Sequence, residues 1–577
     1  MYILGLSCFY HDSAAALIMD GELIAAAQEE RFTRKKHDPG FPENAARFCL
    51  NFAGITAKNL SCVAFYEKPL LKFDRIVTAH ATTFPRSLRA FMLAMPVWLK
   101  EKLWMKELIK KKLDYNGEIL FSEHHISHAA SSFLVSGFDE AAILTADAVG
   151  EWATTTYGIG KGNEIEILGE LDFPHSLGLF YSAFTYYLGF KVNSAEYKVM
   201  GLAPYGQPEY YDFILKKLID VKEDGTFRLN LDYFAYPYGL TMTNRKFGKL
   251  FGRPVRRPEE PIEDFHKNLA ASLQKVTDLI MVRLARSVRK KTKQKNLCMA
   301  GGVALNCVSN RKILDEAGFE RLFIQPAAGD AGGAIGTAFA VWNLFLKKPR
   351  RFLWSHAFWG PEYSARDVEK FLAQKNARAV KYEKADLLSK TASLLAEGKV
   401  LGWFAGREEF GPRALGNRSI LADPRRAEMK DTVNAKIKFR ESFRPFAPSV
   451  LYEKCRNHFD LAGESPYMLL TAPVKNFDLP AVTHVDGTAR LQTVRREQNP
   501  LFYDMIAGFE KKTGCPVLLN TSFNLRGEPI VSSPEDAYRT FLSSGLDYLV
   551  LAPFLLDKME MKTSEVKAAS ERVLEPD

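Results

Sequence analysis

Short apolar runs broken by polar or glycine-bearing turns dominate the opening of the chain. Tyr2 to Ser7 reads as a strand, followed by a polar loop that carries His11 and Asp12. Ala14 to Met19 reads as a second strand, and Asp20-Gly21 makes a tight turn into a third, Leu23 to Ala27. The same order returns at Ala142 to Ala146, which ends in an acid-bearing loop from Asp147 to Glu151. Thr154 to Ile159 then leads to a turn at Gly160-Lys161-Gly162-Asn163 and a strand from Glu164 to Leu168. Two copies of strand, acidic loop, strand, glycine turn and strand predict an internal duplication of long period.

Helical spacing takes over between and after the copies. Asp264 to Lys290 sets Leu269, Leu273, Val276, Leu279, Ile280, Val282 and Leu284 at helical spacing and ends in a Lys/Arg-rich stretch. Between Lys68 and Leu113, basic residues interleave with Phe91, Trp98 and Trp104. A helical cap that packs its apolar face on the core is preferred there to a membrane-surface or partner-docking helix pair. Lys347-Lys348-Pro349-Arg350-Arg351 breaks the composition, so the expected domains are 1–355 and 356–577. Beyond the break, Ala365 to Gln374 and Ala385 to Glu397 read as helices, Val400 to Phe404 as a strand, and the polar tail after Met561 as frayed. A duplicated hairpin module with intervening helices resembles the nucleotide-binding fold of actin, hexokinase and the heat-shock chaperones, where paired loops approach the phosphates.

Composition narrows the options. With 577 residues the chain is too long for one core, and 47% hydrophobic with 25% charged residues describes a globular protein. The longest apolar runs, Phe91 to Leu99 and Tyr548 to Leu556, fall well short of the ~20 residues a membrane-spanning helix needs. The N-terminal stretch has no basic region and does not read as a signal peptide. Seven scattered cysteines without a CxxC pair fit reduced thiols and a cytoplasmic location. The net charge of +10 is spread over several clusters, which favours small anionic substrates; neither a nucleic-acid nor a membrane partner is expected. Oligomeric state is left open, a homo-oligomer included.

Three segments carry candidate chemistry. In Glu123-His124-His125-Ile126-Ser127-His128, His124 and His128 would lie one helical turn apart, able to meet one metal ion. Such a pair is also a common structural feature, and a carboxylate from elsewhere would strengthen the metal reading; Asp147 and Asp330 are the candidates. Two imidazoles with carboxylates suit a divalent first-row ion such as iron, zinc or manganese. The second segment is a pair of glycine-rich turns, Ala300 to Asn306 and Ala328 to Thr337, each after a strand and opening a helix. Neither has the P-loop or dinucleotide spacing, yet both offer helix N-termini to phosphate. The third, from Arg407 to Arg444, holds ten Lys/Arg against six Asp/Glu among Gly and Pro turns. That pattern suggests a rigid anion cradle, to which Asn520 through Asn524, after a strand from Val517 to Leu519, would add hydroxyl and amide donors.

Together the motifs GLSCFYHDSAA, EERFTRKKHD, HHISHAASSF, LTADAVGEW, EYKVMGLAPYG, AGGVALNC, AAGDAGGAIGTA, EFGPRALGNRSILADPR and FRPFAPSV occur in an order that resembles the NodU/CmcH family of antibiotic and nodulation-factor O-carbamoyltransferases. The resemblance implies an α/β protein. Its N-terminal domain would be actin-like (the duplicated ribonuclease H-like class), similar to the tRNA threonylcarbamoyladenosine transferase, and its C-terminal α/β domain YrdC-like. It further implies that the C-terminal domain joins carbamoyl phosphate to ATP, with Mg2+, to give carbamoyl-adenylate and pyrophosphate. The N-terminal domain would then pass the carbamoyl group to a hydroxyl of a small acceptor beside a divalent metal, iron by family precedent.

Residue by residue, the resemblance makes His124, His128, Asp147 and Asp330 metal ligands, and Gly301, Gly302, Asn306, Gly332 and Gly333 nucleotide contacts. Arg413, Arg418, Lys438, Arg444, Arg490, Ser522 and Asn524 match the carbamoyl phosphate and ATP site of the C-terminal domain. His11 matches a histidine of the transfer step, with Asp12 as the alternative base or the group that orients His11. A tRNA-modifying threonylcarbamoyl transferase and a non-catalytic ATP- and metal-binding scaffold are the alternatives. The acceptor itself has no spacing code.

Overall fold

A computed structural model describes residues 1–475, 478–562, 564 and 566. Most of the polar tail after Met561, expected to be frayed, lies outside the described residues. The described chain falls into two compact units: Met1–Glu29 with His37–Trp354, and Glu30–Lys36 with Ser355–Asp577.

The first unit contains two five-stranded sheets. One consists of β1 (Tyr2–Ser7), β2 (Ala14–Met19), β3 (Glu22–Gln28), β4 (Cys62–Phe65) and β5 (Glu118–Phe121), ordered β3-β2-β1-β4-β5. β1 runs antiparallel to β2 and parallel to β4. The other sheet uses β6 (Glu140–Ala146), β7 (Ala153–Lys161) and β8 (Glu164–Asp172), then, after the small hairpin β9 (Ile219–Val221) and β10 (Phe227–Leu229), β11 (Asn296–Ala300) and β12 (Arg321–Phe323). Its order, β12-β11-β6-β7-β8, repeats the first: an antiparallel meander on one side of the founding strand, parallel strands on the other. The duplication read from the hairpin pattern is therefore present in strand order and direction. β7 continues through Lys161, so the turn is the two-residue Gly162-Asn163 rather than the four residues expected. β8 alternates exposed and half-buried residues, as its Glu-Ile-Glu-Ile pattern dictates for a sheet edge.

Close helix packing draws this unit together. Helix Ala331–Phe339 crosses helix His124–Phe133 at Gly336, where a Cβ would stand 1.8 Å from the Ser127 carbonyl oxygen. Only a residue without a side chain allows that approach, and it brings the start of one helix beside the histidines of the other. Helix Asp264–Thr292 buries Leu269, Leu273, Val276, Ile280 and Leu284, the face predicted from spacing.

The basic stretch is helical, over Pro69–Thr82, Leu88–Lys100 and Met105–Leu113, but its packing departs from expectation. Met95, Trp98, Met105 and Ile109 are buried, whereas Leu70, Phe84, Leu88, Met92, Leu93 and Trp104 are each more than half exposed. The first of these helices instead turns Lys72 and Arg75 inward, where Lys72 meets Glu67 and the Arg75 guanidinium lies over the Phe173 ring.

The second unit is built on a nine-stranded mixed sheet. Its strands are β13 (Val380–Lys381), β14 (Leu401–Phe404), β15 (Arg418–Ala422), β16 (Ala447–Leu451), β17 (Leu470–Pro473), β18 (Thr488–Val494), β19 (Val517–Ser522), β20 (Tyr548–Leu551) and β21 (Phe554–Asp557). Their order is β13-β21-β20-β14-β15-β19-β16-β18-β17. Helices Lys384–Ala396 and Pro500–Thr513 pack on each other. The short segment Glu30–Lys36 is part of this unit: Arg31 donates to the Gly411 carbonyl at 2.6 Å and Arg34 to those of Ile530 and Pro529 at 2.6 and 2.8 Å. A single cut along the chain therefore does not separate the units. All seven cysteines are buried and none forms a disulfide, and no helix among the described residues is long and apolar enough to cross a membrane.

Candidate metal centre and anion cradle

Three elements of the first unit aim four side chains at one point. His124 and His128 stand one turn apart on helix His124–Phe133, Asp147 follows β6 directly, and Asp330 is at the N-cap of helix Ala331–Phe339. Their positions are fixed by the backbone. Ser7, at the end of β1, donates to the Asp330 carbonyl at 2.7 Å, and the Asp147 amide donates to Thr154 across the hairpin at 2.9 Å. All four residues are buried, and their ligand atoms lie within 4.8 Å of one another. His124 Nε2 is 3.0 Å from Asp147 Oδ2 and 3.7 Å from Asp330 Oδ1; His128 Nε2 is 3.6 and 3.5 Å from the same atoms. The two Nε2 atoms are 3.1 Å apart.

These separations fit a cation. Donor atoms around a first-row ion at ~2.1 Å stand about 3 to 3.5 Å from each other. Both carboxylate oxygens of Asp330 are buried without a hydrogen bond, a costly state for an anion unless positive charge lies between it and the facing imidazoles. The Nδ1 atoms of His124 and His128 are likewise buried without partners, so packing, including the Tyr66 ring 5.4 Å from His124, sets the ring orientations. Burial opposes an imidazolium at His128, but the nearby Asp147 and Asp330 carboxylates prevail and push its pKa up to about 9. Burial also opposes a charged Asp147, yet the two histidines hold its carboxyl well below the usual range. His125 points elsewhere: it bridges Thr145 Oγ1 at 2.6 Å and the Ala153 carbonyl at 2.9 Å, and burial keeps it neutral.

The first repeat's loop reaches the same centre. His11 Nε2 is 3.8 Å from Asp330 Oδ2, while its Nδ1 is 3.0 Å from Asp12 Oδ2. The other Asp12 oxygen holds His37 Nδ1 at 2.6 Å. Asp12 thus anchors two imidazoles. Burial disfavours a charged His11, but Asp330 and Asp12 outweigh it and carry its pKa up to about 10. Sequence reasoning passed over His37, Tyr66 and Glu151. The Glu151 carboxylate accepts the amides of His124 and Lys68, tying the histidine helix to the start of helix Pro69–Thr82. Its position in the acidic loop, four residues after Asp147, was the available signal.

The glycine-rich turns divide in role. Gly301 has φ of +93° beside the Ala146 carbonyl, and the Gly302 amide donates to Asp147 Oδ1 at 2.8 Å, so this turn supports the Asp147 carboxylate. Asn306 caps helix Cys307–Glu316 through Ser309 and bonds Gln274. Gly332 and Gly333, expected as nucleotide contacts, are both buried: their amides bond the Gly329 and Asp330 carbonyls, and a side chain would strike Ala327 or Tyr66.

In the second unit, register gathers most of the predicted cradle at one end of the sheet. Ser419 on β15 pairs with Ser522 on β19, and Asn520 pairs with Ala447, three residues beyond Arg444. Arg490 lies two positions ahead of Gln492, which pairs with Ser449 on the neighbouring β16. Lys438 Nζ donates to the Ser522 and Asn524 carbonyls at 2.6 and 2.9 Å and to Asn524 Oδ1 at 2.6 Å, so these three predicted residues form one cluster. Arg413 is half-buried in the loop before β15.

Arg418 is fully buried, stacks 3.7 Å over Phe404, and donates to the carbonyls of Ala405, Gly406, Asn417 and Pro361, so its guanidinium braces the loop. Asn520 lies within β19, where the strand was expected to have ended, and donates to Ser449 and Gln492 at 3.0 and 2.9 Å. Glu409, unforeseen, accepts the amides of Leu415, Asn417 and Arg418 and shapes the loop that carries Arg413.

Comparison with known proteins decides the class. The family described as Carbamoyltransferase N-terminus matches residues 2–339, and Carbamoyltransferase C-terminus matches residues 392–558. The chain belongs to the carbamoyltransferase family. It is 52% identical, over 96% of its length and 97% of the relative's, to an uncharacterised protein of Synechocystis. It is 40% identical to nodulation protein NolNO of Sinorhizobium fredii, covering 95% of this chain and 79% of that one. With the 3'-hydroxymethylcephem-O-carbamoyltransferase of Amycolatopsis lactamdurans it shares 34% identity over 50% of this carbamoyltransferase and 54% of the relative. It is thus a transferase, of the NodU/CmcH-like kind that the motifs resembled.

Proposed function

We propose that this enzyme is an ATP-dependent O-carbamoyltransferase with two reaction sites, acting on a hydroxyl of a small metabolite. The first unit is read as actin-like, on the repeated strand order of its two sheets, and the second as YrdC-like. In the second unit Arg413, Arg444 and Arg490, with Lys438 held by Ser522 and Asn524, meet the charge of carbamoyl phosphate and ATP, with Mg2+ accompanying the nucleotide. Carbamoyl-adenylate and pyrophosphate form there; mass balance requires that one water be consumed and inorganic phosphate leave as well.

Transfer belongs to the first unit. The observation that carries this reading is the set of four buried donor atoms within 4.8 Å, two of them on a carboxylate–imidazole pair 3.0 Å apart, with the Asp330 oxygens lacking any hydrogen bond. His124, His128, Asp147 and Asp330 would hold a divalent ion, which supplies Lewis-acid charge for the adenylate phosphate. Iron follows from the resemblance; the two-nitrogen, two-carboxylate set itself suits several first-row ions. Asp12 fixes His11 through Nδ1 and leaves Nε2 turned toward the centre. With the Asp330 charge that raises its pKa offset by a bound cation, Nε2 would take the acceptor hydroxyl's proton while the oxygen bonds the carbamoyl carbon, the carbonyl–phosphate bond breaks and AMP leaves. The Gly302 amide steadies Asp147, and Glu151 steadies the histidine helix.

The test is pyrophosphate release from ATP with and without carbamoyl phosphate. The reading expects release that depends on carbamoyl phosphate and is lost in Arg413→Ala. Release at the same rate without carbamoyl phosphate overturns it.

A further inference from the structure

Helices Pro69–Thr82 and Leu88–Lys100 carry an inverted distribution of polarity. Among the described residues, ten of the twenty-two large apolar side chains that stand exposed fall between Leu70 and Trp104. On the second helix Leu88, Met92 and Pro96 repeat at four-residue intervals, with Leu93 and Val97 alongside, so the exposed residues form one continuous face. Leu70 is 72% exposed, Phe84 66% and Met92 65%, while Lys72 and Arg75 of the same hairpin are buried. Solvent does not favour such an arrangement, and apolar patches of this kind mark surfaces that meet an apolar phase or partner.

Charge identifies what that phase is. From Lys68 to Leu113 there are eleven Lys/Arg, of which Lys72 and Arg75 turn inward, and only three Asp/Glu. Beside the hairpin, Arg86 and Arg89 line a cavity of about 990 Å³ together with Arg245, Lys249, Leu240 and Val255, and no Asp or Glu lines it. Arg86 lies 4.6 Å over the Tyr238 ring, which holds its guanidinium at the cavity wall. Trp104, 61% exposed, donates its indole N–H to the Leu99 carbonyl at the rim of the apolar face. Apolar side chains to enter the acyl boundary, an aromatic at the rim, surrounding cations and a basic recess form the pattern of an interfacial helix on an anionic bilayer. A second copy of the chain is a poorer occupant, because it would set the exposed Arg86, Arg89 and Lys100 against their own counterparts.

We infer that this helical hairpin docks the enzyme reversibly on an anionic lipid surface, with its apolar face in the headgroup boundary and a lipid phosphate in the Arg86/Arg89 recess. The inference replaces the expectation that no membrane is engaged, and it does not depend on the proposed reaction. Lying on a surface requires no membrane-spanning helix.

Sedimentation of the full chain with phosphatidylcholine vesicles, with and without phosphatidylglycerol, tests it. The expected result is at least about tenfold more binding to the phosphatidylglycerol vesicles at low salt, weakened by high salt. Met92→Glu with Leu93→Glu, and separately Arg86→Ser with Arg89→Ser, should each cut that binding about tenfold while the thermal midpoint stays within about a degree. No preference for phosphatidylglycerol, or binding that both variants retain, overturns the inference. So does a dimer that Met92→Glu with Leu93→Glu abolishes, or tight binding of free glycerol phosphate, when vesicles are not bound.

Discussion

The two candidate sites use charge in opposite ways. In the first unit, carboxylates and imidazoles converge with their ligand atoms facing one another, and the Asp330 oxygens have no hydrogen-bond donor. In the second, much of the positive charge already has protein partners: Arg418 is ringed by four carbonyls, and Lys438 is held by Ser522 and Asn524. A charged residue therefore does not declare a ligand site by type alone. What sets the first unit's cluster apart is that its Asp330 oxygens are not satisfied within the fold.

The sharpest way to break this contrast is to remove one member of each site. Asp330→Ala should lower carbamoyl transfer at least about a thousandfold, some 4 kcal/mol of barrier, while carbamoyl-phosphate-dependent pyrophosphate release continues. Measuring both rates on one preparation checks it. Arg418→Met should act on stability instead, because it strands four buried carbonyls. A loss of about 3 kcal/mol in denaturant unfolding is expected, without a selective change in KM for ATP.

Smaller effects sharpen the contrast. Asp12→Asn should reduce transfer about tenfold to a hundredfold and leave metal content intact, since it loosens His11 without touching a ligand. The smallest effect concerns Glu408 in the second unit. Burial raises its pKa despite Arg31 and Arg418, so the folded chain keeps the proton longer than the unfolded one. Its contribution is fully present below the ordinary glutamate range and is lost as pH rises through the raised value. Glu408→Gln should flatten that slope in stability measured against pH.

Much of this was legible because periodicity and local chemistry agree. The strands of both repeats lie within a few residues of their predicted bounds, since alternating apolar runs and glycine turns leave few other choices. His124 and His128 needed only helical spacing to be paired. Residues whose role depends on distant contacts were not legible. Nothing local shows that Arg31 and Arg34 belong to the second unit, that Arg418 turns into the core, or that Asn520 sits inside a strand. The helices between Pro69 and Lys100 misled for a related reason: amphipathic spacing shows that a face exists, not which side of it meets the core.

The account turns on whether the first unit's four side chains hold an ion. Metal content per chain, measured after reconstitution with a divalent first-row metal and exhaustive desalting, addresses this directly in the wild type and in a His128→Ala, Asp330→Ala double variant. The account predicts one ion per chain in the wild type and none in the double variant, with the fold of both retained. A wild type that keeps no ion, or a double variant that keeps its ion, contradicts it.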